Sequence, residues 1–140
     1  MQPQEELIRE IVRRVMTQTS GQSKQRDSSG AMLIHTASVT TEPFEGRSDV
    51  RLCDLTTLAE APRMGAGLME LLDGADFEWT LTYDEYDYVM EGTLEIVLDS
   101  GTVLVGQPGD VLYIPKNTHI HFRTPKETRY VYFVYPANWQ

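Results

Sequence analysis

The amino-acid sequence predicts an all-β fold, an antiparallel barrel or sandwich, preceded by a short amphipathic α-helix and a flexible linker. Three observations predict it. From Met32 onward, short β-prone runs recur at intervals of about ten residues with no helical pattern between them. Near the N-terminus the apolar residues instead follow a helical period. Between these regions, residues 17–30 contain no residue with an apolar side chain. We therefore expect a helix in residues 1–18, a linker in residues 19–30 and a barrel in residues 31–140.

The barrel region is divided by residues that favour turns. These are Glu91-Gly92, Asp99-Ser100-Gly101, Gln107 to Asp110 and Pro115 to Thr118. The predicted strands are Met32–Ala37, Val50–Leu55, Gly67–Leu72, Phe77–Thr82, Tyr86–Glu91, Thr93–Leu98, Val103–Val105, Val111–Ile114, His119–Arg123 and Tyr130–Tyr135.

The predicted helix covers Leu7–Met16. Counted from Ile8, its apolar residues fall at i, i+3, i+4, i+7 and i+8, which places them on one stripe. Glu5 and Arg9 are four residues apart in the stabilising order, with the acid first. A helix of this length is marginal alone in water, so its apolar stripe must be buried against something. It could dock on its own barrel, pair with a sister helix in a dimer, or bind a groove on a partner protein.

Composition limits the partners and the compartment. The chain of 140 residues has a formal net charge of −9, from 21 acidic and 12 basic side chains, and this field repels nucleic acid and anionic lipid. Cys53 is the single cysteine, so no internal disulfide can form and a reducing compartment is expected. Acidic and basic residues interrupt the N-terminal apolar positions, and no apolar run approaches the ~20 residues of a bilayer span. The sequence thus predicts a cytoplasmic protein that binds neither nucleic acid nor membrane.

Two segments, TYDEYDYVMEG and GQPGDVLYIPKNTHIHF, resemble the two motifs of the cupin superfamily. The first motif has two histidines in the pattern H-x-H, then three or four residues, a glutamate, six residues and a glycine. Glu85 and Gly92 match the glutamate and the glycine. In the second, the Pro108-Gly109-Asp110 turn and Pro115 match, and Asn117 takes the place of a glycine, whose left-handed conformation asparagine tolerates. The resemblance implies a cupin-type double-stranded β-helix, also called a jelly-roll barrel.

The histidines of these motifs are missing. Counted back from Glu85 with the spacing of four, the two histidine positions carry Glu78 and Thr80, and the last one carries Ile120. The usual cupin site of three imidazoles and one carboxylate is therefore predicted to be absent. His119 and His121 flank Ile120, and because side chains alternate along a strand we expect both to point away from the cavity.

Oxygen-bearing side chains remain as candidates for the barrel mouth: Glu78, Thr80, Tyr83, Glu85 and Asp87. Two neighbouring carboxyls cannot both ionise easily, so one could act as an acid or base near neutral pH. Alternatively they could hold Mg²⁺ and, through it, a phosphate; Glu85 is the best single candidate ligand. A third interpretation is that the acids only line a solvated turn.

The segments FEWTLTYDEYDYVMEG and GDVLYIPKNTHIHFRTP and the ending YPANWQ resemble the C-terminal cupin of the ethanolamine-utilisation family EutQ. The resemblance implies acetate kinase activity, which makes acetyl phosphate and ADP from acetate and ATP, and association with a bacterial microcompartment. Catalytic roles would fall to Glu78, Tyr83, Glu85 and Asp87, and cofactor binding, including ATP with Mg²⁺, to Thr80 and Lys116. The Leu7–Met16 helix would then bind shell proteins.

Two alternatives stay open at this point. One is a non-catalytic assembly factor or a cupin that binds a small ligand in its barrel, and the other is a metal-dependent oxygenase or isomerase with atypical ligands. No G-x-x-x-x-G-K-[ST] phosphate loop occurs in the chain. A homodimer is expected, because cupins commonly pair and pairing protects edge strands. The aromatic C-terminal region fits either a dimer surface or a core buried on both faces.

Overall fold

The computed structural model describes residues 23–139, and these belong to two compact units that meet in sequence between Thr40 and Thr41. The predicted helix Leu7–Met16 lies outside the described residues. Within the described part of the chain, no helix combines the length and the apolar character of a membrane span.

The first unit contains a β-hairpin. Strand β1 (Ser23–Arg26) pairs antiparallel with β2 (Met32–His35), and a single 3-10 turn, Thr36–Ser38, follows. Residues 23–30 were expected to be flexible linker because they lack apolar side chains. They form this hairpin instead, because the turn is built from polar contacts: Ser29 donates its backbone N–H to the Asp27 carboxylate at 2.9 Å, and Gly30 has a φ of 101°.

The second unit is a two-sheet β-barrel. Its strands are β3 (Glu42–Phe44), β4 (Arg47–Asp54), β5 (Gly65–Leu71), β6 (Asp76–Thr80), β7 (Asp84–Gly92), β8 (Leu94–Leu98), β9 (Val103–Gly106), β10 (Val111–Ile114), β11 (His119–Arg123) and β12 (Thr128–Tyr135). One sheet has the order β10-β7-β12-β5-β4-β3 and the other β6-β11-β8-β9, and all pairs are antiparallel.

The all-β, cupin-type prediction is confirmed, and each of the ten predicted strands is present, with ends that are identical or shifted by at most three residues. β1 and β3 were not predicted. β3 contains Pro43, which has no N–H to donate, and the strand lies at the edge of its sheet, where a proline is tolerated. The barrel unit begins at Thr41 rather than at residue 31.

The core between the sheets is apolar. Its fully buried members include Leu71, Leu81, Leu94, Ile96 and Ile120. Each occupies an inward position on its strand or loop, with exposed or partly exposed residues beside it.

Two motif positions owe their residue type to backbone geometry. Gly92 has a φ of 71°, and a Cβ atom there would lie 2.0 Å from the Glu127 carbonyl oxygen, so only glycine fits. Asn117, in the place of a motif glycine, has a φ of 71°, as the sequence predicted. These turns fix where β7 and β11 end and begin, and therefore which side chains face the barrel interior.

Candidate functional site

Strand β7 places Glu85 and Asp87 inside the barrel and its tyrosines outside. Glu85 and Asp87 are 4% and 0% exposed, and Val89 continues the same buried face. Tyr86 and Tyr88, between them, are 53% and 43% exposed. This is the reverse of the usual arrangement, in which apolar side chains face the core. Two carboxyls are therefore enclosed in an apolar interior.

The neighbouring strands surround these carboxyls with apolar and aromatic groups. On both sides β7 is paired, to β10 and to β12. The cross-strand neighbours are Ile114 and Val134 beside Glu85, and Leu112 and Tyr132 beside Asp87. None of these groups is a cation, so neither acid has a charged partner across the strands.

The carboxyls of Glu85 and Asp87 interact with each other. Both oxygens of Asp87 are buried, and no N–H or hydroxyl group of the described residues donates to them. An ionised carboxylate left in this state would be costly. The carboxyl of Glu85 can serve as the donor once it is protonated, because the two side chains lie within hydrogen-bonding reach of each other. The geometry thus favours a pair that holds at least one proton.

Burial controls the acidity of the pair. Burial raises the pKa of Asp87 to about 7, and the hydrogen bond from Glu85 opposes part of that rise. Burial, the charge of Asp87 and the hydrogen bond to it hold the pKa of Glu85 well above its usual range. Burial, followed by the charges of these acids, also raises the pKa of Tyr83 and of Tyr130, so both phenols stay protonated.

A small aromatic cavity opens onto Glu85. Its free volume is about 20 Å³, which is room for about one water molecule. It is lined by Phe44, Leu52, Met69, Phe77, Trp79, Tyr83, Glu85, Phe122, Tyr132, Val134 and Trp139. The Glu85 carboxyl is therefore the one ionisable acid among mainly aromatic walls.

Tryptophans at this cavity are held by hydrogen bonds. The indole N–H of Trp79 donates to the Tyr83 hydroxyl at 2.7 Å. The Asp54 carboxylate accepts from the Tyr132 hydroxyl at 3.0 Å and from the Trp139 indole N–H at 3.3 Å. Trp139 is only partly buried, and its hydrogen bond, at 3.3 Å, is longer than that of Trp79. A ligand larger than water needs a shift of these side chains, and Trp139 has the weakest attachment.

The structure separates the predicted site residues into two groups. Tyr83 and Glu85 line the cavity, and Asp87 lies behind Glu85 on the same strand face. Glu78 and Thr80 were expected to share this site, but both are exposed and point to the outer face of β6. With the shorter spacing, in which three residues separate the second histidine position from Glu85, the two histidine positions of the motif fall on Trp79 and Leu81.

The second motif follows the sequence prediction. Ile120 is fully buried, and His119 and His121 lie on the opposite, partly exposed face of β11. Because both imidazoles are outside the barrel, an oxygenase or isomerase centre that relies on them inside the cavity has no support from this geometry. Lys116 is exposed on the turn after β10, and its backbone N–H donates to the Asp84 carboxylate at 2.8 Å.

Sequence reasoning missed the aromatic residues of the cavity. Phe77 and Trp79 stack with ring centroids 5.3 Å apart, and the Trp79 and Trp139 centroids are 6.2 Å apart. The alternation of Phe77 and Trp79 with the acids of β6 was the available signal, since alternate residues share a face. Asp54 gave no signal, because its partners are about 80 residues away in sequence.

The raised pKa values predict that the carboxyl pair lowers stability as pH rises. Between an unfolded aspartate pKa of about 3.9 and the folded value near 7, the folded chain holds more protons than the unfolded chain, so the free energy of unfolding falls with increasing pH. We expect Asp87→Asn to remove much of this slope. The free energy of unfolding of the variant, relative to that of the parent, should therefore rise by about 2–4 kcal/mol between pH 5 and pH 8. Urea unfolding at several pH values measures it. Parallel curves for Asp87→Asn and the parent would contradict the assignment.

Comparison with known proteins places the chain among ethanolamine-utilisation proteins. A family model described as "Ethanolamine utilisation protein EutQ" matches residues 3–140. The protein named "Acetate kinase EutQ" of Clostridioides difficile (strain 630) is 46% identical over 86 residues, 61% of this chain and 54% of that protein. Its namesake from Salmonella typhimurium (strain LT2) is 42% identical over 113 residues, 79% of this chain and 48% of that protein. The chain thus spans about half the length of the curated relatives it matches.

Solved structures show the same fold. The EutQ protein of Clostridium difficile superposes with a TM-score of 0.79 at 38% identity, covering 85% of this chain and 98% of that one. An RmlC-like cupin from Shewanella frigidimarina, 18% identical, gives a TM-score of 0.60 over 84% of this chain and 96% of its own, which is a likeness of fold alone. By the match over nearly its whole length and by the cupin barrel just described, the chain belongs to the EutQ family of ethanolamine-utilisation proteins.

Proposed function

We propose that this chain works in ethanolamine utilisation as an acetate kinase, with acetate bound in the aromatic cavity against Glu85. The observation that carries the proposal is the buried carboxyl pair, of which Glu85 lines a small, mainly aromatic cavity. Two relatives that are 42–46% identical bear the name acetate kinase, and this supports the choice of acetate.

The cavity suits a short carboxylic acid. The aromatic walls can contact the methyl group of acetate. When both acids hold a proton, Asp87 can donate to Glu85, and the Glu85 hydroxyl is then available to donate a hydrogen bond to one acetate oxygen. An ionised carboxylate in the place of Glu85 would instead repel the anion. Burial and the neighbouring Asp87 therefore favour acetate binding, because they keep Glu85 neutral at a pH at which acetate is ionised. Because the free volume is about 20 Å³, acetate entry requires a movement at the mouth, which we assign to Trp139.

Transfer of the phosphoryl group to acetate requires alignment of the reactants and does not require a general base. Acetate is already an anion at neutral pH, so its second oxygen can attack the γ-phosphorus of ATP directly. A bond forms between that oxygen and the phosphorus, the bond to the β–γ bridging oxygen breaks, and its electron pair leaves with ADP. Such transfers are accelerated mainly by alignment and by neutralisation of the phosphate charge.

Mg²⁺ and the nucleotide belong outside the cavity in this proposal. Mg²⁺ prefers oxygen ligands in an octahedron and keeps several of its waters. A cavity with room for about one water and a single facing carboxyl does not fit a hydrated Mg²⁺, so the sequence-based idea of Mg²⁺ on Glu85 is not retained. Mg²⁺ enters as part of the MgATP substrate. Lys116, exposed beside the start of β7, is the candidate for contact with the phosphates.

Substitutions at Glu85 test the proposal. Glu85→Leu keeps the approximate size but removes the donor, and we expect kcat/KM for acetate to fall at least 100-fold, as when a single donor is removed from an anion site. Glu85→Gln keeps an N–H donor and should retain more activity than Glu85→Leu. The measurement is acetyl phosphate formation, trapped with hydroxylamine, at varied acetate and at varied MgATP. The KM for MgATP should change little in either variant.

The control is Glu91→Gln, which alters an exposed acid on the same strand, 69% exposed, and should stay within twofold of the parent. Full activity in Glu85→Leu would contradict the site. Equal loss in Glu85→Leu and Glu85→Gln would contradict the donor role, because it would mean that the charge of Glu85 is needed.

A second candidate is a barrel that binds a small carboxylic acid without turnover. The small size of the cavity favours it, because it leaves no room for a phosphate group beside a bound acid. It predicts that acetate raises the melting temperature of the chain and that Glu85→Leu abolishes the shift, while no acetyl phosphate forms at any MgATP concentration.

We further propose that residues 1–18 address the barrel to a bacterial microcompartment in the cytoplasm. The support is the apolar stripe of the predicted Leu7–Met16 helix together with membership of the EutQ family. A groove on a shell protein would accept such a stripe.

Deletion of residues 1–18 should abolish recruitment of a fluorescent fusion of the chain to shells while the barrel keeps its melting temperature. Ile11→Asp, on the apolar stripe, should act like the deletion, whereas Arg9→Gln, on the polar face, should not. The measurement is co-localisation in cells that express the shell proteins. Unaltered recruitment after deletion would contradict the proposed targeting role of residues 1–18.

The homodimer inferred from the sequence stays a prediction. Edge strands β9 and β10 carry the exposed apolar side chains Val103, Leu104, Val105, Val111 and Tyr113. Pairing of two copies over this surface would cover edge strands that otherwise invite aggregation.

A further inference from the structure

A second cluster of chemically active side chains lies on the outer face of the smaller sheet, away from the cavity. It consists of Glu78 on β6 and of His119 and His121 on β11. One potential ligand atom from each residue lies within 4.8 Å of the other two. The inward side chains of the same strands, among them Trp79 and Ile120, face the barrel instead. The cluster is therefore separated from the proposed acetate site by the sheet itself.

Strand pairing brings the three residues together. β6 and β11 are antiparallel, and His121 is directly opposite Glu78 in the register. His119 is two residues along β11, so it shares the same face and is the diagonal neighbour of Glu78. The two imidazole rings are nearly perpendicular, with centroids 5.9 Å apart. Their positions are set by the backbone ladder and not by a loop.

Further carboxylates orient both imidazoles. The Asp99 carboxylate is 2.6 Å from Nδ1 of His119, and the Asp76 carboxylate is 2.5 Å from Nδ1 of His121. In metal sites a ligating histidine commonly donates its other ring N–H to a carboxylate in this way, which fixes the tautomer and makes the ligating nitrogen more basic. With Nδ1 engaged in each ring, Nε2 is the nitrogen that can bind a metal.

The remaining contact also fits a metal site. Nε2 of His119 is 2.6 Å from a Glu78 carboxylate oxygen. In the metal-free chain a proton must lie between these atoms, and an incoming cation would displace it to solvent. Ligands of a tetrahedral Zn²⁺ are roughly 3.3 Å from one another when metal–ligand bonds are near 2.0–2.1 Å. The three ligand atoms lie within 4.8 Å of one another, so side-chain rotations must bring them to that separation.

We propose that Glu78, His119 and His121 form a binding site for a divalent transition-metal ion, Zn²⁺ being the best match to two imidazoles and one carboxylate. Asp76 and Asp99 are positioning residues that act through the histidines. The three protein ligands leave one coordination position to solvent. The ion links edge strand β6 to β11 and, through Asp99, to the turn after β8. Its role in this position is to brace the sheet, independently of any turnover in the barrel.

Zn²⁺ titration of the full chain without an affinity tag tests the site. Binding is followed by competition with a chromophoric chelator, and we expect one Zn²⁺ per chain. His119→Ala and His121→Ala should each weaken binding at least 30-fold, and Asp99→Asn and Asp76→Asn about 10-fold to 100-fold, as for other residues that orient metal ligands. His35→Ala, the third histidine of the chain, is the matched control and should change affinity less than twofold.

Two further readouts keep the test independent of folding and of activity. Circular dichroism verifies that each variant is folded, and bound Zn²⁺ should raise the melting temperature of the parent but not of His121→Ala. Co²⁺ in place of Zn²⁺ should give the intense visible absorption of a four-coordinate site, lost in His119→Ala. Absence of stoichiometric Zn²⁺ on the parent would overturn the proposal, and so would equal affinity in His119→Ala or an equal loss in His35→Ala.

Discussion

The alternation of side chains along β7 is the constraint on which the account depends. A strand of period two must place Glu85 and Asp87 on the same face, and the register with β10 and β12 puts that face inside the barrel. A slip of one residue would expose both acids and bury Tyr86 and Tyr88. The barrel instead accepts two carboxyls in an apolar interior without a cation beside them across the strands. Burial therefore favours a carboxyl pair that holds at least one proton, and the proposed donor role of Glu85 in the cavity depends on that proton.

In the four-stranded sheet, the same alternation of side chains separates two sites. On β6 the inward residues Phe77 and Trp79 form the wall of the cavity, while Asp76 and Glu78 face outward. On β11 Ile120 and Phe122 face inward, while His119 and His121 face outward. Cupins usually bind their metal with imidazoles inside the barrel. In this chain the imidazoles lie on the other side of the sheet, so the interior is left to acid and aromatic chemistry.

Local patterns predicted most of the fold. Turn residues and β-prone runs gave ten strands, and the motif positions Gly92 and Asn117 have the positive φ values expected of them. The site was only partly predictable. Glu85, Asp87 and Tyr83 follow from the motif, but Glu78 and Thr80 were put on the wrong face because the motif tolerates a spacing of three or four. The contacts of Trp139 and Tyr132 with Asp54 join distant segments, and a single sequence carries no record of them.

The protonation state of the buried pair is the central claim, and carbon-13 NMR of selectively labelled carboxyl groups tests it most directly. At pH 6 we expect the Glu85 carboxyl to resonate as a neutral acid. Its titration should occur well above the ordinary range for glutamate and should change in Asp87→Asn. If Glu85 and Asp87 both titrate near pH 4 with the exposed acids, the pair is ionised and the account is wrong.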